Sequence, residues 1–258
     1  MRDVAIRAVR EGGAVLLANL ERPKTVEFKS AGKDPQITSN VDREAEEKIV
    51  EIIRAAYPGH CLLTEESGLL GSAAEYTWIV DALDGTTQYV RRLPYFAVSV
   101  ALRYRDEVVL SAVYSPHLDE LFTAEKGQGA FLNDRRLRVS DVGDLSSALI
   151  VSSVLRSYIG VGRQDVFYDV LGAVSSLRIY GSPAIDLCYI ADGRLDARVT
   201  ANTEPWDHSA ACLIVEEAGG RVTDWNGRQW SPDSKNLLTT NGPLHELLFP
   251  LLRGGPRA

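Results

Sequence analysis

The sequence predicts a mixed α+β fold in which helices and β-sheets pack as layers. Three observations support this class. Several segments carry apolar residues at helical spacing, short apolar strands with polar turns fill the middle of the chain, and strands alternate with helices towards the C-terminus. A chain that combines antiparallel strands with a few strand–helix units is expected to stack helical and sheet layers around shared cores.

Apolar periodicity and turn residues divide the N-terminal part into helices, loops and short strands. The predicted elements are, in order, a helix over residues 2–21, a loop or exposed hairpin over 24–40, a helix from Ser39-Asn40 to Tyr57-Pro58-Gly59, a strand over 61–64, a loop that contains Gly68 and Gly71, and a strand over 78–80.

An antiparallel meander and then alternating strands and helices are predicted for the rest of the chain. The predicted strands cover 96–103, 108–114, 121–124, 130–131, 148–152, 177–180 and 195–199, with two more short strands before the last helix, and the predicted helices cover 165–175, 183–191, 207–218 and 243–252. The polar residues 133–147 indicate a seam between an N-terminal α+β half, residues 1–140, and a C-terminal α/β half, residues 141–258.

Composition excludes several classes of protein. The chain has 258 residues, 45% of them hydrophobic, and a net charge of -7, which argues against a surface that coats nucleic acid. Its three cysteines are widely spaced and form no CxxC pair, so we expect buried thiols in a reducing compartment. The N-terminus is charged and no apolar run could span a membrane, which together predict a cytoplasmic protein.

Residues 78–87 contain the acidic and hydroxyl side chains on which the functional prediction mainly depends. The strand at 78–80 should leave the core at Asp81, with Asp84 one tight turn later and Gly85 breaking the path before Thr86. Two carboxylates beside hydroxyls and free N–H groups suit a divalent cation that bridges to a phosphate. An ordinary turn is the alternative interpretation of the same residues.

Further acidic residues fall at predicted strand ends and helix starts, where α/β proteins build sites. These are Asp42, the pair Glu65-Glu66, and Asp207. Each has a plainer interpretation: Asp42 as a first-turn acid, Glu65-Glu66 as a solvated pair, and Asp207 as an N-cap. His208 is expected to be a surface or packing residue, and Glu216-Glu217 are expected to lie on a solvated helix face.

Four motifs in one order resemble those of the inositol monophosphatase family. Trp78 to Thr87 resembles the first signature of the family, and Pro205-Trp206-Asp207 followed by Ile214 to Gly220 resembles its second. Leu63 to Ser67 is similar to its Gly-Glu-Glu-Ser element, and Asn40-Val41-Asp42 to its Thr-x-x-Asp element. The order and spacing match over nearly the whole chain.

The resemblance implies a layered α-β-α-β-α sandwich and a Mg²⁺-dependent phosphomonoesterase that is lithium-sensitive and homodimeric. By position, one Mg²⁺ would be held by Glu65, Asp81 and the Leu83 carbonyl, and a second by Asp81, Asp84 and Asp207. A weaker third ion would use Glu65, and Mn²⁺ is a possible substitute. Asp42 and Thr86 would position and deprotonate water, and the N–H groups of Gly85 and Thr86 would bind phosphate.

Several positions depart from the family pattern. Ala82 replaces a proline, Thr64 a glycine, Ser39 a threonine and Gln88 an asparagine. Thr200 stands where inositol-specific members carry a glutamate that binds sugar hydroxyls, and the nearest acid is Glu204. We predict that Thr200, Glu204 and Ser182 face the substrate. Family members carry a lysine in the loop that corresponds to residues 24–40. In this sequence it could be Lys29 or Lys33, and the spacing does not choose between them.

These observations predict hydrolysis of a small phosphate monoester of a sugar or polyol, with inositol 1-phosphate and fructose 1,6-bisphosphate as leading candidates. Two alternatives remain open. One is a nucleotide 3'-phosphatase of the 3'-phosphoadenosine type, and the other is a catalytically weak member that acts as a binding or regulatory module. No nucleic-acid polymer or membrane is predicted as a partner.

Overall fold

The computed structural model describes residues 1–22, 24–28, 37–72 and 74–253. Its helices are α1 Arg2–Asn19, α2 Asn40–Ala56, α3 Thr86–Val90, α4 Leu155–Gly160, α5 Gln164–Ala173, α6 Pro183–Ala191, α7 Pro205–Glu217 and α8 His245–Arg253. Its first strands are β1 Val26–Phe28, β2 Ile37–Ser39, β3 Cys61–Thr64, β4 Gly68–Leu70, β5 Tyr76–Asp84, β6 Ala97–Tyr104 and β7 Glu107–Ser115. The remaining strands are β8 Glu120–Glu125, β9 Gly129–Leu132, β10 Arg135–Arg136, β11 Leu149–Ser152, β12 Ser176–Arg178, β13 Ala197–Thr200, β14 Arg221–Asp224 and β15 Leu237–Thr240.

The described strands form two large sheets and one hairpin. The eight-stranded sheet has the order β10-β9-β8-β7-β6-β5-β3-β4 and is antiparallel except where β3 pairs with β5. The five-stranded sheet has the order β12-β11-β13-β15-β14, with β11 parallel to both of its neighbours. β1 and β2 pair antiparallel, which agrees with the hairpin alternative predicted for residues 24–40, but β2 is not exposed, because Thr38 and Ser39 are buried. Lys29 and Lys33 lie outside the described residues.

Alternation along the strands places helices on both faces of each large sheet. Trp78 and Val80 on β5 are buried against α1 and α2, whereas Ile79 between them is buried against α6 and α7. In the five-stranded sheet, Val151 faces α6 and α7, and Ile150 faces α4, α5 and α8. The five layers are therefore helix, sheet, helix, sheet and helix, which confirms the predicted α-β-α-β-α sandwich.

The strand that carries the two aspartates extends further than predicted. β5 continues through Asp84, with a bulge in its pairing with β6 between Asp81 and Asp84. Asp81 therefore does not leave the core: it is 2% exposed and Asp84 is 3% exposed. The predicted tight turn between them is wrong, because the bulge re-aims both side chains without ending the strand. The chain turns only at Gly85.

Four short elements were absent from the sequence prediction. β4 lies in the predicted loop after residue 67, α3 follows Gly85, β10 lies in the polar stretch 133–147, and α4 precedes the predicted helix at 165–175. Each is two to six residues long, too short for helical or strand periodicity to mark it. The two sheets occupy residues 61–136 and 149–240 respectively. The division into an N-terminal and a C-terminal half at residue 140 stays a prediction. No helix among the described residues has the length and apolar character needed to cross a membrane.

Candidate active site

The site lies at the C-terminal end of β5, where the eight-stranded sheet packs against the middle helical layer of α6 and α7. Asp84 is fixed from the start of α6: its Oδ2 accepts hydrogen bonds from the Ser182 hydroxyl at 2.5 Å and the Ala184 N–H at 2.8 Å. Asp81 Oδ1 accepts one from the Leu83 N–H at 2.9 Å within the bulge. Each carboxylate is held through one oxygen, and the described residues form no hydrogen bond with the other.

Gly85 allows the chain to turn from β5 into α3. Its φ of 92° is in the left-handed region, and a Cβ there would lie 2.8 Å from the carbonyl oxygen of Tyr95. Any larger residue would be strained and would collide with backbone. The turn brings the Thr86 hydroxyl to 3.0 Å from Asp42 Oδ1 and 3.1 Å from the Leu83 carbonyl, and its single proton can be donated to either oxygen.

Asp42 is both a first-turn acid that caps α2 and a partner of Thr86, the two roles that its sequence position allows. It is the N3 residue of a capping box on α2, and its Oδ2 accepts hydrogen bonds from the Ser39 N–H at 2.9 Å and the Ser39 hydroxyl at 2.6 Å. Its other oxygen accepts from Thr86. Burial raises the pKa of Asp42, and the hydrogen bonds from Ser39 and Thr86 oppose that rise. The predicted Asp42–Thr86 contact is therefore present.

Glu65 is carried on a tight loop that a buried glutamate organises. The Glu46 carboxylate on α2 accepts hydrogen bonds from the N–H groups of Glu66 at 2.8 Å and Ser67 at 3.0 Å, and from the Thr64 hydroxyl at 3.0 Å. Glu46 is 2% exposed. A buried carboxylate with three donors is well satisfied, so it fixes the backbone on either side of Glu65.

Asp207 completes the cluster from the start of α7. The N-cap of that helix is Glu204, so the predicted N-cap role of Asp207 is wrong by three positions. Asp207 is the N3 residue, whose Oδ2 accepts hydrogen bonds from the Glu204 N–H at 2.8 Å and the Thr203 hydroxyl at 3.0 Å. As in Asp84, a single oxygen anchors the carboxylate and the second stays available.

Burial and neighbouring negative charges raise the pKa values of the three aspartates of the site. Burial is the largest cause for Asp81, Asp84 and Asp207, followed for Asp81 by the charges of Glu65, Asp84 and Asp207. These four acids are therefore close enough to repel. A cation would relieve the repulsion, and hard carboxylate oxygens suit Mg²⁺. Among the described residues, no three His, Cys, Asp or Glu side chains already converge as a finished ligand set, so binding would require the carboxylates to move closer together around the ion.

The three predicted substrate-facing residues separate in the structure. Thr200 lines a cavity of about 190 Å³ that also reaches Asp207. The Glu204 carboxylate instead pairs with Lys235 at 2.5 Å. Ser182 is fully buried with its hydroxyl on Asp84, which corrects the prediction that it faces the substrate. The residue that sequence analysis assigned to substrate contact thus positions a carboxylate.

Other predicted roles also change. Glu217 does not simply lie on a solvated face, because its two oxygens accept hydrogen bonds from the N–H groups of Gly127 and Gly129, both at 2.7 Å. His208 is buried as a packing residue. Sequence analysis missed Glu46, although a charged residue four positions after Asp42, on the apolar face of an amphipathic helix, was a usable signal.

Comparison with known proteins agrees with this architecture. The sequence model of the inositol monophosphatase family matches residues 1–256. The Nus factor SuhB of Vibrio cholerae is 39% identical over 246 residues, which cover 93% of this chain and 91% of that protein. The SuhB Nus factor of Escherichia coli K12 is 40% identical over 232 residues, with coverage of 88% and 86%.

Solved structures show the same fold. The extragenic suppressor protein SuhB of Bartonella henselae superposes with a TM-score of 0.89 at 35% identity, covering 98% of both chains. Inositol monophosphatase from Anabaena (Nostoc) sp. PCC 7120 superposes with a TM-score of 0.87 at 33% identity, covering 99% of this chain and 96% of that one. The chain belongs to the inositol monophosphatase family.

Proposed function

We propose that this chain is a Mg²⁺-dependent phosphatase that hydrolyses small phosphate monoesters. The observation that supports it most strongly is the Thr86–Asp42 hydrogen bond placed beside the buried carboxylates Asp81, Asp84 and Asp207. A proton relay next to a cation site suits phosphomonoester hydrolysis, because the attacking water must lose a proton and the phosphate repels an attacking anion unless cations neutralise its charge.

The residues divide the work between them. Glu65, Asp81, Asp84, Asp207 and the Leu83 carbonyl would hold two to three Mg²⁺ ions, which supply charge neutralisation and activation of water when bound. The Thr86 hydroxyl orients the attacking water and passes a proton towards Asp42. Ser39 holds Asp42 in place through two hydrogen bonds. The N–H groups of Gly85 and Thr86 would bind phosphate oxygens.

The proposed substrate is a phosphorylated sugar or polyol, with inositol 1-phosphate and fructose 1,6-bisphosphate first on the panel and a nucleotide 3'-phosphate as the alternative. Lithium inhibition, Mn²⁺ substitution, a homodimer and a cytoplasmic location belong to the same proposal and are supported by family membership. No nucleic-acid polymer and no membrane is proposed as a partner.

Phosphate release from these esters, measured with Mg²⁺ and with chelator, tests the proposal. We expect turnover of at least one ester that requires Mg²⁺ and stops with chelator. No Mg²⁺-dependent turnover on any ester would contradict it. That outcome would favour the second candidate, a binding or regulatory module without efficient catalysis, which is supported by the name Nus factor given to the SuhB relatives.

A further inference from the structure

A cavity lies beside Asp207, and its wall contains the buried cationic side chain of Arg198. The cavity has a volume of about 190 Å³ and is lined by Ser153, Arg198, Thr200 and Asp207, among others. This volume holds about six waters, enough for the part of a substrate that extends beyond its phosphate. Because Asp207 lies at the proposed metal site, a substrate phosphate held there would direct its remaining atoms into this cavity.

Arg198 is oriented by Asp186, which lies behind the cavity wall, and by Thr200, which is part of the wall. Its Nη1 forms an ion pair with Asp186, and its Nε donates to the Thr200 hydroxyl oxygen at 3.0 Å. The side chain of Asp186 is 0% exposed and does not line the cavity, whereas Arg198 does. Asp186 also accepts a hydrogen bond from the Tyr95 hydroxyl at 2.7 Å. The positive end of the pair therefore faces the cavity and the negative end faces the interior.

The wall consequently offers hydrogen-bond donors. The Thr200 hydroxyl accepts from Arg198, and the Ser153 hydroxyl accepts from the Ala201 N–H at 3.2 Å, so the proton of each hydroxyl remains free to donate. Arg198 Nη2 forms no hydrogen bond with the described residues. Three donors, one of them cationic, match a group that only accepts hydrogen bonds, and they match a sugar hydroxyl less well.

We propose that Arg198, Thr200 and Ser153 form a subsite for a second anionic group of the substrate, either a carboxylate or a second phosphate. This inference rests on the proposed function, because the first phosphate must be held beside Asp207. Arg198 is the residue that determines the specificity, and the two hydroxyls complete its recognition of anionic oxygens.

Two matched pairs of esters separate the sources of the anionic group. Glucitol 6-phosphate and 6-phosphogluconate differ by an alcohol against a carboxylate, and fructose 1-phosphate and fructose 1,6-bisphosphate differ by a second phosphate. We expect kcat/KM to favour the anionic member of at least one pair by about 10- to 100-fold, as a charge-assisted hydrogen bond provides. The pair that shows the preference identifies the group.

The variant Asp186→Asn/Arg198→Met removes both charges together, so no unpaired buried ion remains. It should lose the preference through a higher KM for the anionic ester, with the KM of the neutral ester unchanged. Thr200→Val and Ser153→Ala should each lower the kcat/KM preference for the anionic ester several-fold. These single variants test the subsite if the double variant does not fold. Thr123→Val, a buried threonine of the eight-stranded sheet, is the matched control and should keep it.

The outcomes distinguish the inference from the proposed function. Turnover of the neutral and anionic esters at equal kcat/KM would contradict the proposed anion subsite but would still support the proposed phosphatase activity. If no ester is hydrolysed, the phosphatase fails, and calorimetric binding of both ester pairs decides the subsite alone. Tighter binding of the anionic member of either pair by the wild type, abolished in Asp186→Asn/Arg198→Met, would support the subsite, and equal binding within both pairs would overturn it.

Discussion

At the scale of single residues, each aspartate of the proposed metal site is held by one part of its functional group and left free at another. Asp84 and Asp207 are anchored through Oδ2, and Asp81 through Oδ1. Anchoring a carboxylate in this way fixes its direction before any ligand arrives, which reduces the entropy that binding must overcome. Asp42 differs, because both of its oxygens accept hydrogen bonds, one from Ser39 and the other from Thr86.

Removal of the Thr86 hydroxyl tests the proposed proton relay. Thr86→Val keeps the shape of the side chain and should lower kcat by about 10²- to 10⁴-fold, the usual worth of a positioned acid or base, with little change in KM. The neighbouring Thr87, exposed on the same short helix, provides the control Thr87→Val, which should retain activity. Equal kcat for both variants would show that Thr86 does not take part.

At the scale of elements, hydrogen bonds between helix residues and neighbouring loops or strand ends hold the carboxylates of the site in position. α2 contributes Asp42 from its first turn and, one turn later, Glu46, which organises the loop of Glu65. α6 holds Asp84, and α7 presents Asp207 at its start and Glu217 at its end, where Glu217 fixes the turn before β9. Helix starts suit this task because their free N–H groups stabilise carboxylates.

Glu46→Gln should weaken Mg²⁺ binding although Glu46 is not itself a proposed ligand. The amide offers one acceptor oxygen in place of two and turns an N–H group towards the backbone donors of Glu66 and Ser67, which should cost about 1–3 kcal/mol of stability. We expect the Mg²⁺ concentration for half-saturation to rise about tenfold in calorimetric titration. The exposed neighbour gives the control Glu47→Gln. A half-saturation unchanged from wild type would refute the positioning role of Glu46.

At the scale of the whole molecule, buried groups make stability depend on pH in a definite direction. His245 on α8 lies within hydrogen-bond distance of the hydroxyls of Thr223 and Thr240, at 3.1 Å each, and joins α8 to β14 and β15. Burial lowers its pKa to about 4. Because the folded pKa lies below the ordinary value, the contribution of His245 is complete above pH 6.5 and is lost as the pH falls from 6.5 towards 4.

Comparison of the wild type with His245→Gln isolates this effect. Between pH 7.5 and pH 5 the wild type should lose about 1–2 kcal/mol more unfolding free energy than the variant, which has no imidazole to protonate. Urea unfolding in chelator at both pH values measures it, and the carboxylates of the site contribute equally to both proteins. A difference between the proteins that stays constant with pH would show that His245 is not held neutral.

Much of this organisation could be predicted from the sequence because it is local. The apolar spacing of α2, the run at β3 and the glycine after Asp84 each mark their element within a few residues. The order of the four motifs then brings distant acids into one proposed site. Roles set by tertiary contact could not be predicted: Ser182 reaches Asp84 across 98 residues, and Arg198 faces the cavity only because Asp186 pairs with it from α6.

Asp81→Asn tests the central claim most directly, because Asp81 is the carboxylate that the first and second proposed Mg²⁺ ions would share. The asparagine oxygen can still accept from the Leu83 N–H, and Asp134→Asn, on an exposed turn, is the matched control. We expect the folded variant to lose Mg²⁺-dependent phosphate release by at least about 10³-fold and to lose most of its calorimetric Mg²⁺ binding. Phosphate release within a few-fold of wild type would contradict the assignment of the metal site.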